Sequence, residues 1–96
     1  MPDIRELSEI LAGMTVAEDI EKLLYELLTD NERKDLILRW ELMKKLYQGV
    51  PQRSIASELG ISLCKITRGS KILKSSDSVT GRLLESMPEM GENKFK

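Results

Sequence analysis

The stretch Gln52 to Lys74, QRSIASELGISLCKITRGSKILK, admits very few folds. Ile55, Ala56, Leu59, Gly60, Ile61 and Ile66 recur where two short crossing helices need, in order, a core residue, a small contact residue, a core residue, a glycine turn and two more core residues. Helices crossing at about 90 to 120 degrees over a short turn meet at few points. Ala56 must therefore be small, and Gly60 must accept a left-handed backbone. The spacing predicts a helix-turn-helix over about 51–74. An ordinary helical hairpin inside a bundle uses the same apolar alternation and the same capping glycine, so the pattern alone leaves both readings open.

Charge separates them. The net charge of −1 conceals a segregation along the chain. Residues 1–35 carry ten acids and four bases, a net of −6, whereas residues 36–75 carry eight bases and two acids, a net of +6; residues 76–96 carry four acids and three bases, a net of −1. The basic charge sits where the motif sits, which is the electrostatic footprint of phosphate contact. The function this favours is recognition of double-stranded DNA.

The remaining pattern is helical throughout, and the fold class is all-α with six helices. The first, about Asp3 to Ala12, shows Ile4, Leu7 and Leu11 on one face and ends at Gly13. Thr15 with Glu18 has the spacing of a capping box for a second helix reaching about Leu28, with Ile20, Leu23, Leu24, Leu27 and Leu28 as a broad apolar stripe. Thr29 with Glu32 repeats the box for a third helix, about Asp30 to Gln48, stopped by Gly49. That helix carries Leu36, Trp40, Met43 and Tyr47, widened by Ile37, Leu42 and Leu46, and needs more than one neighbour. Pro51 suits the start of the fourth helix, which lacks a Ser, Thr, Asp or Asn cap. The fifth spans about Ser62 to Leu73 and the sixth Val79 to Met87, before Pro88. Residues 1–87 are expected to form one domain and 88–96 a disordered tail. With 96 residues the core is small, and self-association would bury more apolar surface.

Several classes drop out. The chain has no histidine and a single cysteine, which removes zinc sites built from Cys or His, most nucleophile and base pairs, and any intramolecular disulfide. No acid pair is set against a base or nucleophile, so an enzyme is not expected. No long apolar segment or leader pattern stands out, and the expectation is a cytoplasmic, metal-free protein without a membrane partner.

The run ITRGSKILK at Ile66 to Lys74, the run LTDNER at Leu28 to Arg33, and Arg39 in the following helix together resemble the tryptophan operon repressor family over about Leu24 to Lys74. The resemblance implies a six-helix fold, an intertwined homodimer, operator DNA as partner and L-tryptophan as corepressor. It implies that the indole lies between Arg39 and Arg68, whose planar guanidinium groups stack well on aromatic faces. It also implies that Thr29 and Gly69 line the ligand pocket and that the backbone carbonyls of Glu26 and Leu28 receive the ammonium group. Without the family likeness, Arg39 reads as a helix arginine paired to Asp35 or Glu41, and Arg68 as a phosphate contact.

Toward DNA, the resemblance places Gln52 and Arg53 at the opening of the motif, and Arg53 suits a bidentate contact to guanine. Ser62, Leu63, Cys64, Lys65 and Thr67 fall on the exposed N-terminal part of the recognition helix. Cys64 reads as a small side chain packing near a thymine methyl, with a redox switch as the alternative. Ser70, Lys71 and Lys74 read as phosphate or surface residues. Two departures stand out. Ile72 takes the place of a serine that sits near the ligand's amino group, and the segment between Gly49 and Gln52 is one residue shorter than is usual in the family. Ile72 supports a second reading, a helix-turn-helix regulator that responds to another ligand or to none.

Overall fold

The computed structural model describes residues 2–95, which form α1 (Arg5–Gly13), α2 (Ala17–Leu27), α3 (Asp30–Tyr47), α4 (Gln52–Leu59), α5 (Leu63–Lys74), α6 (Val79–Ser86) and a short 3-10 turn, η1 (Pro88–Met90). Helices are the only regular elements among the described residues, and the all-α expectation holds. The chain divides into two compact units, Met1–Lys34 and Asp35–Lys96, and each is described by itself.

In the first unit, α1 and α2 are amphipathic, yet neither contains a buried residue. Ile4, Ile10, Val16, Tyr25 and Leu27 stay exposed. The helix α1 ends at Gly13 as expected, without a left-handed backbone there, and the Met14 N–H donates to the Leu11 carbonyl. One expectation about the helix ends is corrected. The Thr15–Glu18 box does not form, because the helix starts one residue later: Val16 is the N-cap, and its carbonyl accepts from Asp19 and Ile20. The second box does form. The Glu32 carboxylate accepts from the Thr29 N–H at 2.9 Å, and the Thr29 hydroxyl accepts from the Glu32 N–H at 3.2 Å.

In the second unit, Leu42, Met43, Leu46 and Tyr47 of α3 form a core with Ile55, Ile66, Leu84 and Met90. Trp40, Ala56, Leu59 and Ile61 pack against it, half-buried. Leu36 and Ile37, also expected on the apolar face of α3, remain exposed. Gly49 ends α3 with φ +80°; its N–H donates to the Leu46 carbonyl and the Val50 N–H to the Lys45 carbonyl, a Schellman pair that only a left-handed residue closes without strain. As expected, α4 starts without a side-chain cap. A Lys45–Glu58 ion pair at 2.8 Å ties it to α3.

The tail departs from the expectation of disorder. Met90 is buried, Phe95 packs on the core, and the Lys94 N–H donates to the Tyr47 carbonyl at 2.9 Å. The absence of periodicity in residues 88–95 reflects a chain held by single long-range contacts rather than by a repeating face. Lys96 lies outside the described residues.

Candidate functional site

The motif is built as its spacing requires. Gly60 caps α4 at φ 63° with its N–H on the Ala56 carbonyl, which turns the chain within a few residues. The Ser62 hydroxyl then accepts from the Lys65 N–H at 3.3 Å and starts α5. Ile55 and Ile66, both 0 % exposed, close the crossing from either helix. Gly69 faces α3. A Cβ there would lie 3.1 Å from the Met43 sulfur and 3.2 Å from Leu42 and Leu46 methyl carbons, so the glycine allows an approach that a larger residue would crowd. Together these contacts fix α5 with one face inward and the other in water.

The outward face holds Leu63, Cys64, Lys65, Thr67, Arg68, Lys71 and Lys74, all exposed, with Ser62 at its start. Leu63, Cys64, Thr67, Arg68, Lys71 and Ile72 line one open groove of about 620 Å³. The Thr67 hydroxyl donates to the Leu63 carbonyl at 2.9 Å, which leaves its oxygen lone pairs outward as acceptors. Gln52 and Arg53 are exposed at the first turn of α4, and Arg53 borders a shallow surface with Ser54, Ser57 and Glu58. Of the two readings of Ser70, phosphate or surface residue, the second is corrected: it is 6 % exposed, on the inward side of α5. The face is rich in lysine and arginine and carries no acid from Leu63 to Lys74, as a surface meeting phosphates requires.

The residues expected around an indole divide between the two units. Arg39 is exposed on α3, one turn before Met43 and hence on the face that meets Gly69, and Arg68 directly precedes that glycine on α5. Neither arginine has an ion-pair partner among the described residues; Glu41 instead pairs with Lys44 at 2.7 Å. Both guanidinium planes are thus available for stacking. Ile72, 39 % exposed, borders the groove beside Arg68. Gly69 is buried against α3 and is absent from the groove wall.

Glu26, Leu28 and Thr29 belong to the first unit. Thr29 spends its hydroxyl on the capping box, and the Leu28 carbonyl already accepts from the Arg33 guanidinium at 2.7 Å. Arg33 also donates to the Tyr25 carbonyl at 3.3 Å, pairs with Asp30, and lies 4.3 Å over the Tyr25 ring. It holds the end of α2 to the start of α3, a role sequence reading missed. The signal was present: an arginine one turn into a helix reaches back to the unpaired carbonyls of the helix before it.

Among the described residues no cluster of His, Cys, Asp and Glu has the makings of a metal site, and no helix is long and apolar enough to cross a membrane. Cys64 is exposed.

A glycine turn between α4 and α5, a side-chain-capped second helix and a basic outward face define a helix-turn-helix protein. A family model described as Trp repressor protein matches residues 3–87. The chain is 32% identical over 90 residues to a Trp operon repressor homolog of Vibrio campbellii, covering 93% of this chain and 90% of that protein. It is 44% identical over 78 residues to one of Vibrio cholerae serotype O1, covering 77% and 76%. With one of Chlamydia trachomatis serovar L2 it shares 44% over 62 residues, covering 59% and 66%. Comparison with solved structures finds no match. The chain belongs to the Trp repressor family, a family of transcription regulators rather than enzymes.

Proposed function

We propose that this chain is a cytoplasmic, homodimeric repressor that binds operator DNA of tryptophan genes through α4 and α5 and takes L-tryptophan as corepressor. The observation that carries the reading is the exposed, wholly non-acidic face of α5, held at a fixed crossing by Gly60, Ile55 and Ile66. Arg53 at the start of α4 reads a guanine edge. Ser62, Leu63, Cys64, Lys65 and Thr67 enter the major groove, and Lys71 and Lys74 meet phosphates. The unburied apolar faces of α1 and α2 support the dimer, since a second copy would cover them.

The two unpaired arginines support the ligand. Indole would stack on Arg39 and Arg68, and the family resemblance adds Gly69, Thr29 and the carbonyls of Glu26 and Leu28 as further ligand contacts. A ligand regulates only through different affinity for two orientations of the reading head, so tryptophan would have to favour the orientation that fits the half-site spacing.

Two observations favour a second reading, a regulator of the same fold that needs another ligand or none. Ile72 offers no hydrogen bond at the groove beside Arg68, and Arg33 already occupies one acceptor position of the Leu28 carbonyl. An ammonium group that loses one partner forfeits roughly 1 to 3 kcal/mol.

Fluorescence anisotropy of a labelled palindromic duplex, titrated with the protein with and without L-tryptophan, decides between them. Tightening by about tenfold, equivalent to about 1.4 kcal/mol of coupling, is the expected outcome for a corepressor. Sequence-selective binding indifferent to tryptophan establishes the second reading. Equal binding to palindromic and scrambled duplexes defeats both.

A further inference from the structure

The tail brings a second lysine to the reading head. Two contacts hold it there: the Lys94 N–H on the Tyr47 carbonyl, and the Phe95 side chain on the core. A Cβ at Gly49 would lie 2.9 Å from the Lys94 carbonyl oxygen and 3.0 Å from its Cβ, so the glycine that ends α3 also makes room for the tail. Beside this junction is a pocket of about 260 Å³ whose polar wall is Gln52, Ser70, Lys74 and Lys94; no acidic side chain lines it.

Three properties of this pocket point to an anion. The first turn of α4 begins at Pro51 with no side-chain cap, which leaves backbone N–H groups directed outward at the positive end of the helix. Lys74 and Lys94 add two ammonium groups from segments 20 residues apart in sequence. Ser70 lines the pocket, is 6 % exposed, and makes no side-chain hydrogen bond among the described residues. No fully buried side-chain oxygen there lacks a partner, so this hydroxyl stays open at the pocket wall.

We propose that Gln52, Ser70, Lys74 and Lys94 form a site for one backbone phosphate of duplex DNA, and that the docked tail completes it. The site rests on the duplex-binding reading above but adds a residue beyond positions 3–87, the part of the chain that the family model matches. A phosphodiester suits it because an uncapped helix start and two ammonium groups favour a fully charged anion. The contact carries no sequence information; it fixes the head against the backbone while Arg53 and α5 read bases.

The test uses the full chain and two labelled duplexes, one palindromic and one scrambled, with affinity measured across a salt series. Lys94→Ala keeps the backbone contacts of the tail, so it should retain helix content and oligomeric state. It should weaken both duplexes by the same factor and lower the slope of log K against log salt by about 0.9, the share of one phosphate contact. Lys94→Arg should restore the slope. Phe95→Ala, which undocks the tail but keeps the charge, should lower the slope as Lys94→Ala does. An unchanged slope in Lys94→Ala or in Phe95→Ala overturns the proposal, as does a loss confined to the palindrome. Saturable amide shifts at Gln52 and Ser70 with inorganic phosphate, with duplex slopes unaltered, assign the pocket to free phosphate and overturn it as well. If the wild-type chain shows no preference for the palindrome, the operator reading fails while the slope difference still decides this one. If it binds neither duplex, both fail.

Discussion

The two compact units are built on opposite principles. The unit Asp35–Lys96 buries Ile55, Ile66 and Leu84 completely and closes a core of its own. The unit Met1–Lys34 has helices with well-formed apolar stripes and not one buried residue in either. The charges are segregated as well, with acids dominating residues 1–35 and bases residues 36–75. An apolar stripe is stabilising only when something covers it, and the first unit leaves its stripes uncovered where the second encloses its own. In a repressor built as a dimer, the first would supply assembly and the second recognition.

The sharpest way to break this contrast is to charge the first unit. Ile10→Glu with Leu27→Glu should abolish the dimer, at roughly 3 to 6 kcal/mol for two apolar side chains kept in water, and sedimentation velocity should show monomers. If α1 and α2 are simply solvated, the same double variant sediments like the wild type and the proposed interface is wrong. In the second unit, Ile66→Ala should cost roughly 2 to 5 kcal/mol in urea unfolding, because a fully buried side chain leaves a cavity between α4, α5 and α3. A loss under about 1 kcal/mol would mean that the crossing collapses around the gap and that Ile66 is not a keystone.

Smaller effects sharpen the comparison. Gly69→Ala should destabilise by roughly 1 to 3 kcal/mol through overpacking against Met43, Leu42 and Leu46. A neutral or stabilising result would show that these flexible side chains yield, and α3 and α5 would then be less tightly coupled. Thr29→Ala should cost about 1 kcal/mol by removing half of the capping box. Amide exchange at Glu32 should accelerate in that variant, whereas unaltered exchange would show that the box is redundant with the Arg33 contacts. Smallest is Glu58→Ala, expected to cost between about 0.2 and 1 kcal/mol because its partner lies in a largely hydrated pair. A double-mutant cycle with Lys45→Ala measures that coupling, and a value above about 1 kcal/mol would make the ion pair a structural tie between α3 and α4.

Where sequence reading succeeded and where it failed follows a physical division. Gly60, the Thr29–Glu32 box and the burial of Ile55 and Ile66 were all legible, because each is set by a spacing of a few residues along one helix or across one turn. The Thr15–Glu18 pair had the right spacing as well, but α2 begins one residue too late to use it. A shift of one residue costs little locally, and packing of the stripe settles which start is used.

The candidate site shows the same division. The exposed face of α5 could be drawn from the period of the helix, and Arg39 and Arg68 emerged from family likeness. Gly69, a ligand contact by family likeness, is also a close-approach glycine against α3, which its place in the sequence did not announce. Ser70, read as a phosphate or surface residue, proved to be largely buried. Arg33 was noticed only as the end of the LTDNER run, and Lys94 and Phe95 carried no recognised signal, although all three tie segments together.

The sequence by itself determined the helices, the turn between α4 and α5, and the basic charge gathered there, since these depend on neighbours within a turn or two of the chain. Only the tertiary structure decided which side of α5 faces inward at Gly69 and Ser70, what Arg33 holds, and that Lys94 comes to rest beside Lys74. Those outcomes depend on groups distant along the chain finding one another, and a single long-range contact leaves no periodic trace in a sequence.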